Sequence, residues 1–141
     1  MLYLDANFFI FALLDTTEKG SRATEIHRSI AKGRQKAVTS PLAIDELMWV
    51  LIRAGKKHLV RTAVEGVYAT PNLDVLPVSP TIPLTALDLL ERYDLRPRDA
   101  FHAAIMKENK LTEIVTDDND FDRIEWMKRT RFQVANPRSK R

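Results

Sequence analysis

Short apolar runs alternate with segments of helical periodicity along this chain, and this alternation restricts the possible folds strongly. The predicted strands are Leu2-Tyr3-Leu4, Ala37-Val38-Thr39, residues 73–78, residues 113–116 and residues 131–134. The predicted helices are residues 8–14, 18–32, 41 to about 55, 57–69, 85–93 and 98–110. Strands that alternate with helices form a parallel sheet covered on both faces. The sequence therefore predicts a single-domain α/β fold with three layers.

Helix-start signals define several of these boundaries. Ser40-Pro41 combines a good N-cap with a proline at the first helical position, and Pro97 opens another helix. Asn7 is predicted to cap the first helix, and Gly33 is predicted to end the second. Ligands of parallel sheets bind beyond the carboxyl ends of the strands, so chemistry is expected where the strands end.

Composition excludes several classes of protein. The 141 residues suit one domain, and a hydrophobic fraction of 45% is typical of a globular chain. The absence of cysteine excludes disulfides, thiolate zinc sites and a cysteine nucleophile. The N-terminal residues lack the basic start of a signal peptide, and the apolar run of residues 8–14 is too short to span a bilayer. We therefore expect a cytoplasmic protein without a membrane segment.

Positive charge accumulates towards the C-terminus. The formal net charge is only +3, but residues 123–141 contain seven lysines and arginines and a single acid, Glu125. Residues 136–141 are expected to form a basic tail after a domain of residues 1–135. Such a segment either is solvated surface that aids solubility or contacts a phosphate backbone.

Several acids occur where predicted elements begin or end. They are Asp5 directly after the first strand, Asp45 and Glu46 in the second turn of the helix after Ser40, Asp99 in the first turn of the helix opened by Pro97, and Asp117 and Asp118 after the strand of residues 113–116. Each alone can be explained as a cap, a polar turn or helix surface. Together they lie on the side of the sheet where sites form.

Converging carboxylates repel one another, and a fold tolerates them where a cation neutralises their charge. Oxygen ligands without cysteine select magnesium, manganese or calcium over zinc or copper. Such ions suit phosphodiester hydrolysis, because they generate a hydroxide nucleophile and neutralise charge on the phosphate.

Four segments in order resemble the motifs of PIN domains. They are Leu4-Asp5-Ala6-Asn7, Glu46 after Ser40-Pro41, the segment Arg98-Asp99-Ala100-Phe101-His102-Ala103-Ala104, and Thr116-Asp117-Asp118-Asn119-Asp120-Phe121, which looks like the family's TxDxDF segment. The resemblance spans nearly the whole chain at the family's usual size. The most similar subgroup in length and pattern is the VapC-type toxins of toxin–antitoxin pairs.

The resemblance implies a PIN-like, Rossmann-like fold and a ribonuclease that depends on Mg²⁺ or Mn²⁺. It implies the following site: Asp5 and Asp99 as metal ligands, Glu46 as a ligand or as the group that orients a water, Asp117 as the fourth catalytic acid, Asp120 as an outer metal ligand, and Asn7 and Thr116 as residues that fix the carboxylates by hydrogen bonding.

Two of these assignments choose between adjacent acids. Asp45 and Glu46 point about 100° apart on a helix, and the motif favours Glu46. Asp117 is preferred to Asp118 from its position just after Thr116, because side chains alternate in direction along a strand. His102 is expected to be a structural histidine, since Phe101 and Ala103 indicate a packed helix.

The resemblance also implies partners: an RNA substrate, a small antitoxin that covers the acidic groove, and a second copy of the chain in a homodimer. The main alternative is a catalytically silent PIN-like module that binds RNA or protein. A dehalogenase-like phosphatase would need a second acid where Asn7 stands, and the chain is short for that fold.

Overall fold

The computed structural model of the chain describes residues 1–132, which form five parallel strands and six α-helices. The strands are Leu2–Leu4 (β1), Ala37–Thr39 (β2), Leu73–Val75 (β3), Glu113–Val115 (β4) and Lys128–Thr130 (β5). The α-helices are Ala6–Leu14 (α1), Glu18–Ala31 (α2), Pro41–Arg53 (α3), Val60–Ala69 (α4), Ile82–Tyr93 (α5) and Pro97–Glu108 (α6). Short 3-10 helices lie at Lys57–Leu59 and Asn119–Arg123.

The strand order of the sheet is β3-β2-β1-β4-β5, and every pair is parallel. The chain builds outward from β1 through β2 to β3, and then crosses to the other side of β1 for β4 and β5. The order therefore reverses between β1 and β4, where Leu4 pairs with Val115. In open α/β sheets, ligands bind in the crevice at such a reversal, beyond the carboxyl ends of the strands.

Both faces of the sheet are covered, as the apolar strands predict. Tyr3 and Ile114 lie in a core cluster shared with α5 and α6. Their neighbours Leu4 and Val115 lie in a second cluster, shared with α1 to α4. All four side chains are fully buried. This alternation confirms the predicted three-layer α/β fold.

The last strand was predicted too late in the chain. β5 occupies Lys128–Thr130, where Thr130 pairs with Val115, and residues 131 and 132 follow it. The apolar side chain of Phe132 instead packs against α1, with its ring 5.0 Å from that of Phe11. Phe132 is therefore apolar because it is buried against α1, although it lies beyond the end of the strand. The rest of the predicted strand lies outside the described residues, as do the expected domain end at residue 135 and the basic tail of residues 136–141.

Several other boundaries also differ from the predicted ones: the first helix starts at Ala6 instead of residue 8, and the helix predicted at residues 57–69 is a 3-10 helix followed by α4. β3 ends at Val75 instead of residue 78, and Pro77 follows it without a backbone N–H to donate. α5 begins at Ile82, three residues earlier than predicted, with a proline in its first turn. Within residues 1–132, no helix is long and apolar enough to cross a membrane.

Candidate active site

Asp5 links the central strand to the first helix. Its Oδ1 accepts a hydrogen bond from the backbone N–H of Asn7 at 2.7 Å, and its extended backbone makes it the N-cap of α1. The prediction of Asn7 as the N-cap is therefore wrong. The helix starts at Ala6, directly after the strand, so the cap position falls on Asp5 and Asn7 lies inside the first turn.

Thr116 holds the other oxygen of Asp5. Its hydroxyl donates to Asp5 Oδ2 at 2.8 Å and accepts from Asn7 Nδ2 at 2.9 Å and from the Asp118 N–H at 3.1 Å. Asn7 Oδ1 in turn accepts from the Asp117 N–H at 3.2 Å. Because Leu4 and Val115 are in register, the residues that follow them are neighbours. Asn7 and Thr116 therefore fasten the end of β4 to Asp5.

Three further carboxylates converge beyond this network. Asp99, Asp118 and Asp120 each place one carboxylate oxygen within 4.8 Å of the others. Asp99 lies in the first turn of α6. Asp118 caps the 3-10 helix Asn119–Arg123 and accepts from the Asp120 N–H at 2.9 Å, so this short helix holds both acids towards Asp99.

The sequence-based choice was Asp117, but the carboxylate cluster contains its neighbour Asp118 and not Asp117. The Asp117 carboxylate lies 2.6 Å from Lys19 Nζ on α2. Since Thr116 faces Asp5, the residue on the same side of an extended chain is two positions further on. The alternation rule, counted from Thr116, thus indicates Asp118, whereas counting from the end of the strand indicates Asp117.

Glu46 approaches from α3 and contacts α6. Its Oε1 lies 2.7 Å from His102 Nε2 and 3.6 Å from Arg98 Nε, and its side chain is 15% exposed. Asp45, the competing acid, is exposed on α3. The structure therefore directs Glu46, and not Asp45, towards the residues of α6.

His102 is buried, as predicted, but both of its ring nitrogens have partners. Nε2 contacts Glu46, and Nδ1 lies 2.6 Å from the Tyr3 hydroxyl. Burial raises the pKa of that hydroxyl far above its ordinary value, so Tyr3 keeps its proton. Sequence reasoning missed this connection. The sequence contained one signal for it: His102 follows Asp99 by three residues, which places it near Asp99, one turn further along the same helix.

The site acids are electrostatically strained. Burial, together with the nearby carboxylates of Asp118, Asp120 and Asp5, raises the pKa of Asp99 to about 7. Burial likewise raises the pKa of Asp5 to about 6, although the hydrogen bonds from the Thr116 hydroxyl and the Asn7 N–H oppose the shift. Near neutral pH these carboxylates lose their charge readily unless a cation lies beside them.

The donor set fits a hard divalent cation. The ligands that converge are carboxylate oxygens, the chain has no cysteine, and both nitrogens of His102 are engaged elsewhere. Oxygen ligands of this kind suit magnesium, manganese or calcium. Asp99, Asp118 and Asp120 are positioned to bind such an ion together. The carboxylate of Asp5 is close enough to Asp99 to raise its pKa, and that of Glu46 is close enough to raise the pKa of Asp5.

Basic side chains border the acids. Lys19 contacts Asp117, Arg98 lies near Glu46, and Arg123 Nη2 lies 3.5 Å from Asp120 Oδ1. Arg129 differs from them, because its guanidinium donates two 2.8 Å hydrogen bonds to Asp122 and its side chain is only 6% exposed. The basic C-terminal segment therefore includes at least one structural arginine.

Known structures share this architecture. VapC20 of Mycobacterium tuberculosis, described as a toxin that cleaves the sarcin–ricin loop, superposes with a TM-score of 0.71 at 19% identity, covering 86% of this chain and 93% of that one. VapBC2 of Rickettsia felis, bound to a DNA fragment from its promoter, gives a TM-score of 0.71 at 18% identity over 93% and 98% of the two chains.

Sequence comparison points the same way. The ribonuclease VapC13 of M. tuberculosis is 25% identical over 130 residues, which cover 92% of this chain and 98% of the relative. A VapC ribonuclease of Mycobacterium bovis matches equally well. The family model of the PIN domain matches residues 2–127, and the chain therefore belongs to the PIN-domain family.

Proposed function

We propose that this chain is a ribonuclease that requires Mg²⁺ or Mn²⁺ and serves as the toxin of a toxin–antitoxin pair. The observation that carries the proposal is the convergence of Asp99, Asp118 and Asp120 at the reversal of strand order, beside Asp5. The relatives named as VapC ribonucleases support the substrate class, since each aligns over nearly its full length.

Asp5, Asp99, Asp118 and Asp120 would hold the ion, and Glu46 would bind it or orient a water. When bound, the ion activates a water molecule for attack and neutralises charge that develops on the phosphate. We place Asp118 in the role that sequence reasoning gave to Asp117, because Asp118 reaches the other carboxylates and Asp117 contacts Lys19.

The protein's own groups prepare this site. Asn7 and Thr116 fix Asp5 before any ligand arrives, and the 3-10 helix fixes Asp118 and Asp120. Such preorganisation reduces the rearrangement required when charge develops on the substrate. The exposed cations Arg98 and Arg123 border the acids. We expect them to contact RNA phosphates, and such contacts supply affinity without sequence preference.

A cleavage assay with matched variants tests the function. The wild-type chain should cut single-stranded RNA with Mg²⁺ or Mn²⁺ and stop when EDTA is added. Asp99→Asn and Glu46→Gln should lose cleavage, whereas Asp45→Asn, which changes the exposed neighbour of Glu46, should keep it. Cleavage that survives EDTA or Asp99→Asn would refute the proposal. RNA binding without cleavage under all metal conditions would instead support the silent PIN-like module.

The toxin role predicts an inhibitory partner. The R. felis structure is a VapBC complex, and a DNA-bound VapBC complex of Salmonella typhimurium also superposes, with a TM-score of 0.69 at 18% identity over 94% and 98% of the chains. A small protein encoded beside this chain should copurify with it and abolish cleavage. Light scattering on the purified chain tests the homodimer that the family resemblance implies, and a monomer at micromolar concentration would contradict it.

A further inference from the structure

A buried chain of side-chain hydrogen bonds runs through the core to Glu46. Ser40 Oγ lies 2.7 Å from the Tyr3 hydroxyl, which lies 2.6 Å from His102 Nδ1. His102 Nε2 then lies 2.7 Å from Glu46 Oε1. Tyr3 and Ser40 are fully buried and His102 is 1% exposed, so solvent does not compete for the contacts of the Tyr3 hydroxyl.

One arrangement of protons gives every side chain in this series of hydrogen bonds a suitable partner. The Ser40 hydroxyl accepts from the Ala43 N–H at 3.3 Å and can donate to the Tyr3 oxygen. The Tyr3 hydroxyl then donates to His102 Nδ1, and the Nε2–H donates to Glu46. A histidine that accepts at one nitrogen has its proton on the other, so Tyr3 fixes which nitrogen faces the carboxylate.

Glu46 needs such a partner because it is a long side chain at the edge of the site. The only other described cation near it is Arg98, which is 54% exposed and 3.6 Å away, too far for a hydrogen bond. His102 also belongs to the helix that carries Asp99, one turn further on. The position of Glu46 relative to Asp99 therefore depends on a contact between α3 and α6.

We propose that His102 is a positioning residue, which holds the Glu46 carboxylate in the metal site through Nε2–H and is itself oriented by the Tyr3 hydroxyl. The proposal rests on the proposed function. It assigns the histidine a role through Glu46, without contact with RNA or with the reacting atoms.

Three variants probe this role. His102→Leu removes both hydrogen bonds, His102→Gln keeps an N–H donor near the place of Nε2, and Tyr3→Phe removes only the hydroxyl. The first readout is the affinity for Mn²⁺ without RNA, measured by electron paramagnetic resonance. His102→Leu should weaken that affinity by roughly 10–100-fold, as removal of hydrogen-bond partners of metal ligands does elsewhere. His102→Gln should recover most of the loss, and Tyr3→Phe should fall between the two.

A double-mutant cycle distinguishes positioning from a general effect on the fold. In a Glu46→Ala background, His102→Leu should weaken Mn²⁺ binding no further, because the group it acts through is gone. Equal losses in both backgrounds would overturn the proposal.

With RNA, His102→Leu should lower kcat more than it raises KM. His27→Gln is the matched control: His27 Nε2 also contacts a side chain, Thr70 Oγ1 at 3.1 Å, but it plays no part in the site. It should leave both readouts unchanged.

The outcomes separate this proposal from the function on which it rests. A wild-type chain that neither binds Mn²⁺ nor cuts RNA refutes the ribonuclease. A wild-type chain that does both, with His102→Leu and Tyr3→Phe unchanged in Mn²⁺ affinity, refutes the role of His102 alone. If His102→Leu does not fold, His102→Gln and Tyr3→Phe decide, and loss of affinity in Tyr3→Phe with an unchanged melting temperature supports the proposal.

Discussion

Adjacent carboxylates at the end of β4 have opposite surroundings. Asp118 reaches Asp99 and Asp120, whereas Asp117 makes an ion pair with Lys19. We expect Asp118→Asn to weaken Mn²⁺ binding by more than about 100-fold, since changes to outer partners alone cost roughly 10–100-fold. Asp117→Asn should keep most of the affinity. Isothermal titration of both variants measures the difference, and a greater loss in Asp117→Asn would restore Asp117 as the ligand.

The Thr116 hydroxyl connects three parts of the site, and its removal should have two effects. Thr116→Val removes one hydrogen bond each from the buried Asp5 carboxylate, the half-buried Asn7 side chain and the Asp118 N–H, so we expect a loss of about 1–3 kcal/mol in the free energy of unfolding. Mn²⁺ affinity should also fall, because Asp5 is no longer fixed. Denaturant unfolding and metal titration measure the two effects.

Thr39→Val is the matched control for this change. Thr39 is also fully buried at a strand end, but its hydroxyl donates to the Leu4 carbonyl at 2.7 Å and touches no carboxylate. It should lose stability and keep its Mn²⁺ affinity. Equal affinity losses in the two variants would show that Thr116 acts on the fold alone.

At the level of single residues, the sequence indicated which residues belong to the site better than it indicated where their side chains point. Asp5 and Asp99 could be chosen because their position and the motif agree. The N-cap was assigned to Asn7 because asparagine and aspartate cap helices equally well, and only the immediate start of α1 after β1 decides between them. The contact between His102 and Glu46 spans 56 residues and depends on how α3 meets α6, which no local pattern encodes.

At the level of elements, the predictions succeeded where local chemistry is strong. Ser40-Pro41 and Pro97 start α3 and α6 as expected. β5 was misplaced because its residues, Lys128-Arg129-Thr130, are polar, whereas strands were sought among apolar runs. Edge strands tolerate such residues, since one side of the strand has no neighbour in the sheet.

The contact between α1 and α2 gives a prediction about stability. A Cβ built at Gly20 on α2 would lie 1.8 Å from the Asp15 carbonyl oxygen, a backbone atom at the end of α1. Gly20→Ala should therefore force the helices apart and lower the free energy of unfolding by about 1–3 kcal/mol. Urea denaturation measures the change.

Gly66 supplies the control for this substitution. It lies within α4, and a Cβ there would meet no atom within 4 Å. Alanine is favoured over glycine inside a helix, so Gly66→Ala should stabilise the chain by about 0.5–1 kcal/mol. If Gly20→Ala were as stable as Gly66→Ala, the close approach of α2 to Asp15 would not constrain the fold.

At the level of the whole molecule, an acidic centre lies in a basic protein. The formal net charge is +3, yet Asp5, Asp99, Asp118 and Asp120 lie at one edge of the sheet, with arginines at the border. The sheet topology explains why they meet: strands β1 and β4 are distant in sequence but adjacent in space, and both end at this edge. A positive overall charge favours polyanionic partners, whereas the cluster of acids favours a cation.

The raised pKa values of these acids make the stability of the protein depend on pH, and we expect a bound cation to counteract the loss of stability at high pH. In the folded state, burial and neighbouring carboxylates raise the pKa of Asp99 to about 7, and burial raises that of Asp5 to about 6; both lie above the ordinary value of 3.8. The unfolded chain therefore loses these protons first as pH rises. The stabilisation is complete below the ordinary value and is lost as pH rises through about 6 to 7.

Thermal unfolding of the wild type and Asp99→Asn tests this dependence. In EDTA, the melting temperature of the wild type relative to Asp99→Asn should fall between about pH 5 and about pH 8, because the variant has no carboxylate to ionise at that position. Added Mn²⁺ should reverse the difference at the higher pH, where the carboxylates are charged, and should do little at the lower pH. A wild type whose melting temperature follows that of Asp99→Asn at every pH, with and without Mn²⁺, would show that Asp99 neither carries the electrostatic strain nor binds the ion.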